Sequence, residues 1–457
     1  MSARNRELLA LVPVAIIVTA GFAAVFIVKD NDVSDVSLTY GGYFLALCVA
    51  AHIFLRIRLP YADPYLFPLC ALLAAVGLVV IYRIDDKLAF DQASVFVLGL
   101  VLFCLTILFL RDYHVLERYR YLIASAGILL LLAPFITRNP VNGAYLSVDI
   151  GPISFQPAEL AKICIVIFLA SYLAEKREML SVAARRVLGL TIPPLKHFGP
   201  LLVVWGAAML MLVFIKDLGS SLMFFGAFLA LLYVATGRFS YVLIGLVIFA
   251  IGAYAIGSTI PHVHDRFEIW QDPLATGRDV PEGAGQIQQS LFAQADGGLF
   301  GQGLGESLLK LPGPFAPHCE QPFPECGSIL PAPHTDFIYA VVTMELGLFG
   351  ACGLILIYAL IAARGFKTAV MAPDGFSKLL ATGLTAVFAL QAFVIIGGVT
   401  TVIPLTGVTL PFVSFGGSSV VANMVLLALL LLISDRARRP PTDPIDNDPI
   451  ELAGLPA

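Results

Sequence analysis

The feature that most limits how this chain can fold is the recurrence of apolar stretches at 8–28, 39–56, 66–82, 92–110, 121–137, 156–174, 199–215, 219–236, 240–258, 335–363, 378–399 and 411–434. A helix needs about 20 apolar residues to cross a hydrocarbon core roughly 30 Å thick, and these runs reach that length. A lone segment in lipid satisfies its backbone hydrogen bonds only as a helix, and the runs are too long and too continuously apolar for barrel strands. The expected fold is all-α: a polytopic integral membrane protein of about twelve transmembrane helices.

Composition agrees. Hydrophobic residues make up 58% of the chain and charged residues 13%, against about 25% charged in ordinary soluble domains. The net charge is only -4 and no basic block could track a phosphate backbone, so no nucleic-acid partner is expected and membrane lipid is the expected solvent. Arg4 and Arg6 precede the first apolar run, a signal-anchor pattern with no small-residue cleavage site. Cys48, Cys70, Cys104, Cys164 and Cys352 lie inside apolar runs, where a thiol acts as a small hydrophobe.

Lys and Arg fall on alternate connections: Arg4/Arg6, Arg56/Arg58, Arg111/Arg118/Arg120, Lys176/Arg177/Arg185/Arg186, Arg238, Arg364/Lys367 and Arg436/Arg438/Arg439. Cation-rich loops stay inside, so both termini are expected in the cytoplasm and the long 259–334 loop outside it. Long connections are usually functional or disordered. Within this one, Gly283 to Gly298 places Ile287, Leu291, Phe292 and Ala295 near one helical face, which suits a helix lying on the membrane surface. Pro312 to Pro333 carries Cys319 and Cys326, a candidate disulfide on the oxidising side. The proline-rich end reads as a disordered cytoplasmic tail, 436–457.

Ionisable groups in or beside spans are costly, so each calls for an account. Glu159 and Lys162, three apart, share one helical face as either a structural ion pair or a functional one. Asp217 suits a helix cap. Asp336 and Glu345 both enter the tenth span, and Glu345 lies deep enough to require a partner, from a polar cavity or an ion pair. The glycines from Gly297 to Gly305 fit an anion-binding nest or a hinge; no strand precedes them, so a dinucleotide site is excluded. No HExxH, GxSxG or P-loop is present, and His262, His264, His318 and His334 lack metal-ligand spacing.

Six ordered motifs carry a resemblance. They are Gly143-Ala144 followed by Phe155-Gln156-Pro157-Ala158-Glu159-Leu160-Ala161-Lys162; Asp217-Leu218-Gly219-Ser220-Ser221; Gly283-Ala284-Gly285 with Gln289-Ser290; Gly297-Gly298 with Gly301-Gln302-Gly303; His334-Thr335-Asp336-Phe337-Ile338 with Glu345; and Pro404-Leu405-Thr406-Gly407 running to Pro411-Phe412, Ser414, Gly416-Gly417-Ser418-Ser419 and Asn423. In this order they resemble the SEDS family (shape, elongation, division and sporulation), the bacterial peptidoglycan polymerases that include RodA-like and FtsW-like proteins. That family has ten spans. The resemblance therefore divides the chain into two extra N-terminal helices (1–60), a glycosyltransferase membrane core (61–435) and the tail. Tyr145-Leu146 stands where the family has Arg-Trp, and Asp279-Val280-Pro281-Glu282-Gly283-Ala284-Gly285-Gln286 departs from its Asp-Pro-x-Gly-x-Gly-Tyr-Gln.

The resemblance implies a bacterial cell (inner) membrane enzyme that polymerises lipid II, with Asp279 as catalytic base and Asp272, in an Asp-Pro pair, as its rival. It also implies substrate-binding roles for Glu159, Lys162, Arg266, Asp336, Glu345, Gln289, Ser290 and Ser418. Lys162, Arg266, Arg278 or a divalent cation, Mg2+ or Mn2+, would take the charge of the departing pyrophosphate. The implied partners are lipid II, the growing glycan strand and a class B penicillin-binding transpeptidase. Short termini favour a RodA-like elongation role over division. A lipid II flippase and a non-catalytic scaffold for the transpeptidase are the competing readings.

Overall fold

The computed structural model describes residues 3–30, 35–110, 112–137, 147–150, 153–182, 185–187, 190–192, 206, 218–259, 261–275, 284–309 and 330–440. Within them the chain is nearly all helix. Helices α1 (Ala3–Ala10) and α2 (Val12–Asp30) divide one apolar run at Leu11, with Pro13 in the first turn of α2, where a missing N–H removes no helical bond. After them come α3 (Asp35–Arg58), α4 (Leu66–Ile84), α5 (Asp86–Phe109), the single turn α6 (Val115–Arg118), α7 (Arg120–Thr137) and α8 (Pro157–Val182). The second half holds α9 (Leu218–Thr236), α10 (Phe239–Thr259), α11 (Pro261–Gln271), α12 (Ala284–Gly297), α13 (Ile338–Met371), α14 (Gly375–Val399) and α15 (Gly417–Arg438).

Nine helices among the described residues are long and apolar enough to cross a membrane, and the shorter apolar helices Arg120–Pro134 and Phe239–Tyr254 coincide with two further expected spans. The remaining expected span, 199–215, lies outside the described residues apart from Gly206. Two antiparallel hairpins, absent from the sequence expectation, join β1 (Val148–Ile150) to β2 (Ile153–Phe155) and β3 (Arg185–Val187) to β4 (Leu190–Ile192). They occupy connections, where short-range pairing satisfies backbone groups that no helix takes up, and the architecture remains all-α. Cys319, Cys326, Asp217 and the 441–457 stretch of the tail fall outside the described residues.

The core is built from α4, α8, α14 and α15, whose apolar windows are 78–83% buried, against 33% for α2, α3 and α5 at the periphery. Aspartates define where several helices begin. Asp85 accepts from the N–H groups of Lys87 and Leu88 to start α5, and Asp374 accepts from Ser377 N–H to start α14.

Polar contacts gather at the two ends of the bundle. At one end Arg438 pairs with the buried Asp63, Arg364 Nη1 lies 3.7 Å from it, Asp435 accepts from Tyr61 N–H at 2.9 Å, and Arg436 reaches Asp112 at 3.0 Å. The other end carries α11, α12, the turn before α13 and the 400–416 loop. Helix α12 does not lie free with Ile287, Leu291, Phe292 and Ala295 towards lipid, as its pattern predicts. It packs on α13 through Ala284, Ile287, Ser290, Ala293 and Gly297, leaving Phe292 exposed. The small side chains decide this, because they let two backbones approach: a Cβ added at Gly297 would sit 2.1 Å from the Thr343 carbonyl oxygen.

Candidate active site

Helix α8 opens on Pro157, so Glu159 falls in its first turn and Lys162 one turn later on the same face. Both are buried, at 3% and 2% exposure. Lys162 Nζ donates to Glu159 Oε2 at 2.5 Å and to Gln391 Oε1 at 2.6 Å. The Gln391 amide in turn donates to Glu159 Oε1 at 3.3 Å and to the Thr409 carbonyl at 2.9 Å. A buried charge needs both a counter-ion and hydrogen bonds for its remaining sites, and this triad supplies them from α8 and α14 together. Sequence reasoning passes over Gln391. Its signal was an amide in mid-span, within the apolar run 378–399.

The Thr409 carbonyl belongs to a loop that also serves a second cluster. Arg266 on α11 donates Nη1–H to the Leu405 carbonyl at 2.7 Å, and Trp270, one turn on, donates to the Thr401 carbonyl at 2.9 Å. Asp336 stands just ahead of α13. A Cβ placed on Gly407 would lie 3.8 Å from Asp336 Oδ2 and 4.0 Å from Arg266 Nη2, so acid and guanidinium meet the loop at one point. Asp336 is half-buried; desolvation pushes its carboxyl up to about 6, and the nearby Arg266 cation limits the rise. Ser414 and Phe415 stitch this turn down, Ser414 Oγ donating to the Thr335 carbonyl at 2.7 Å and Phe415 N–H to the His334 carbonyl at 2.8 Å. Ser418 Oγ accepts from Gln156 N–H at 2.8 Å, fixing the start of α15 to the residue before α8.

Glu345, 1% exposed, has its partner in α4. Its Oε1 lies 3.3 Å from Arg83 Nε and accepts from Ser307 Oγ at 2.7 Å, while Arg83 Nη2 donates to the Ser307 carbonyl at 2.8 Å. Of the two options read from sequence, the ion pair is the one realised. The glycine-rich segment forms neither a free nest nor a loose hinge: it pairs backbone to backbone with a kink in α13. Gln302 and Gly303 donate to the Met344 and Glu345 carbonyls at 3.0 Å, and Leu348 and Phe349 donate back to Gly298 and Leu299. The kink is Gly347, at φ 67 and ψ -169, a conformation glycine alone adopts without strain.

The other sequence candidates are more dispersed. Gln289 is exposed on α12, whereas Ser290 is buried beside Gln294, whose amide reaches the Val399 carbonyl at 3.1 Å. Asp272 is exposed at the C-terminal end of α11, its carboxylate without a partner among the described residues. Asp279 and Arg278 lie outside the described residues. Among the described residues no three His, Cys, Asp or Glu side chains converge as a metal site would require, and the cations beside the loop are Lys162 and Arg266.

Comparison with known proteins supplies the family. The model of a cell cycle protein family grouping FtsW, RodA and SpoVE matches residues 64–439. Peptidoglycan glycosyltransferase RodA of Mycobacterium tuberculosis H37Rv is 40% identical, over 99% of this chain and 95% of its own length. Stage V sporulation protein E of Bacillus subtilis is 29% identical, over 82% of this chain and 98% of its own. Among solved structures, a chain of a peptidoglycan synthase complex that coordinates polymerization and crosslinking is similar at TM-score 0.65 and 27% identity, covering 83% of this chain and 99% of that one. The rod shape determining protein RodA of Thermus thermophilus is similar at TM-score 0.58 and 25% identity, covering 83% and 98%. The chain therefore belongs to the FtsW/RodA/SpoVE family of cell cycle proteins.

Proposed function

We propose that this protein is a peptidoglycan glycosyltransferase that polymerises lipid II into glycan strands for cell elongation and shape, with Asp279 as its general base. The observation that carries the reading is the 405–409 loop, which binds the amide holding Glu159 and Lys162 and also meets Asp336 and Arg266. One loop thus gathers two cations and two carboxylates at the mouth of a lipid-embedded bundle, where a polyprenyl-linked sugar pyrophosphate would present its charged end. The relatives named peptidoglycan glycosyltransferase support the same chemistry.

In that reaction an acceptor sugar hydroxyl bonds to the anomeric carbon of the donor with inversion, giving its proton to the base as the oxygen attacks. The bond to pyrophosphate breaks with its electron pair, and polyprenyl pyrophosphate departs. Because this leaving group is already a weak base, cations matter more than a second acid. Lys162 has three N–H donors and spends two on Glu159 and Gln391, leaving one for an incoming anion. Arg266, held on the loop by the Leu405 carbonyl, stands beside Asp336 at Gly407 and offers its guanidinium to the same charge. The alternation of Lys and Arg puts both termini in the cytoplasm and this loop outside it. A class B penicillin-binding transpeptidase is the proposed partner, in keeping with a structural relative that works in a crosslinking complex.

The test is polymerisation of lipid II by purified protein in proteoliposomes, comparing wild type with Asp279→Asn and Asp272→Asn. Asp279→Asn is expected to abolish polymer without unfolding the protein, and Asp272→Asn to retain it. Undiminished polymer from Asp279→Asn removes the base assignment. Lipid II translocation with no polymer identifies a flippase, and neither activity in the wild type identifies a scaffold.

A further inference from the structure

Helices α1 to α3 precede the family match, which begins at residue 64. The mycobacterial relative spans them, aligning over 99% of the chain, whereas the sporulation protein aligns over 82%. Their exposed side is ordinary lipid-facing surface, with Leu9, Val12 and Ile16 at 50–60% exposure. The opposite side is more specific.

Helix α2 packs against α4. On α1, Arg4 donates to the Ala62 carbonyl just ahead of α4 and pairs with Glu7, which reaches His52 of α3 at 3.0 Å, all three side chains being buried. Midway, a Cβ on Gly21 would stand 3.0 Å from both methyls of Val79, so the backbone of α2 lies against α4. Further along, Phe22 meets Tyr82 edge-on with centroids 5.3 Å apart, and Tyr40 of α3 closes the group 6.2 Å from Tyr82. At the far end Val28 touches the glycine-rich loop itself: a Cβ on Gly305 would be 3.3 Å from Val28 Cβ.

The residue after Tyr82 is Arg83, the partner of Glu345 and Ser307. Consecutive helix residues are about 100° apart, so fixing the face of Tyr82 fixes the direction of Arg83. We propose that α1–α3 are a positioning brace: they hold α4 and the 303–307 turn so that Arg83 clamps Ser307 and Glu345, which keeps the glycine-rich loop on the α13 kink and Asp336 in register with Gly407. The brace acts through Arg83 and through the contact of Val28 with Gly305, and touches no substrate. Its importance for turnover rests on the polymerase reading given above.

The test uses full-length protein in proteoliposomes with two readouts, amide hydrogen exchange and lipid II polymerisation. Phe22→Ala with Tyr40→Ala is expected to speed exchange at 298–309 by about tenfold while α14 and α15 stay protected, and to slow polymerisation about fivefold. Arg83→Gln should do at least as much, and combining all three should be no worse than Arg83→Gln alone, because the Phe22–Tyr40–Tyr82 group works through that side chain. Val28→Ala, which leaves the α2–α4 packing intact, gives a smaller change of the same sign and decides the matter if the aromatic variant does not fold. Ile16→Ala, on the lipid side, should change nothing. Unaltered exchange at 298–309 in the folded variants, or losses that multiply when combined, overturns the brace. Exchange behaving as expected in a wild type that makes no polymer would leave the brace standing and remove the polymerase reading instead.

Discussion

Replacing Lys162 by Met strips the counter-ion from a carboxylate that is 3% exposed and cannot be rehydrated in place. At the observed 2.5 Å and an effective dielectric near 20, the two charges attract by about 7 kcal/mol. Most of that offsets the cost of taking both ions out of water, so breaking such a pair lowers stability by about 3–5 kcal/mol. Gln391 still donates to Glu159 at 3.3 Å, which places the loss at the lower end, about 3 kcal/mol. Adding Glu159→Gln removes the stranded charge and is expected to restore about 2 kcal/mol of the loss. Unfolding free energy in mixed micelles titrated with denaturing detergent measures both values, and lipid II polymerisation is followed in parallel. A pair with only a structural role gives a double variant that is both stable and active. A Lys162 that meets the departing pyrophosphate gives one that is stable but about 100-fold slower. A double variant less stable than Lys162→Met alone contradicts the electrostatic account of this cluster.

Asp336 carries a pH signature. Its carboxyl sits at about 6, above the roughly 3.9 of an unfolded aspartate, so its ionised form opposes folding above pH 6 and that penalty fades as pH falls towards about 4. Asp336→Asn should therefore stabilise the protein at neutral pH and leave it unchanged near pH 4, and the reverse ordering in unfolding measurements excludes the assignment. Gly347→Ala forces a Cβ to within 2.3 Å of Gly301 N at a positive φ, and is expected to lower stability by at least about 2 kcal/mol, read by thermal unfolding. Asp63→Ala leaves Arg438 and Arg364 without their shared acid, but both stay partly exposed, so a loss of about 1–3 kcal/mol is expected with polymerisation per folded molecule unchanged.

What the sequence made legible was local or periodic. The apolar runs gave the helices, because span length is a property of contiguous residues. Glu159 with Lys162 was readable for the same reason, since one turn separates them. Partners brought together from distant spans carried no such signal: Gln391 reaches Lys162 across 229 positions of sequence, and Arg83, one residue past the expected span 66–82, sits at the end of α4 beside Glu345. The face of α12 was misread because large apolar residues dominate a hydropathy pattern, whereas close packing in a membrane bundle selects Ser290, Ala293 and Gly297. The glycine-rich segment was ambiguous until its acceptors on α13 were known.

Where α13 breaks at Gly347, the amides of Leu348 and Phe349 are claimed by Gly298 and Leu299 and not by the preceding helical turn. Peeling that segment away would strand bare peptide groups beside hydrocarbon, a cost of several kcal/mol apiece. Backbone bonds tie this ribbon to residues before and after Gly347 alike, so the ribbon and the turns of α13 on both flanks of the break form one undivided crust that can shift only as a piece.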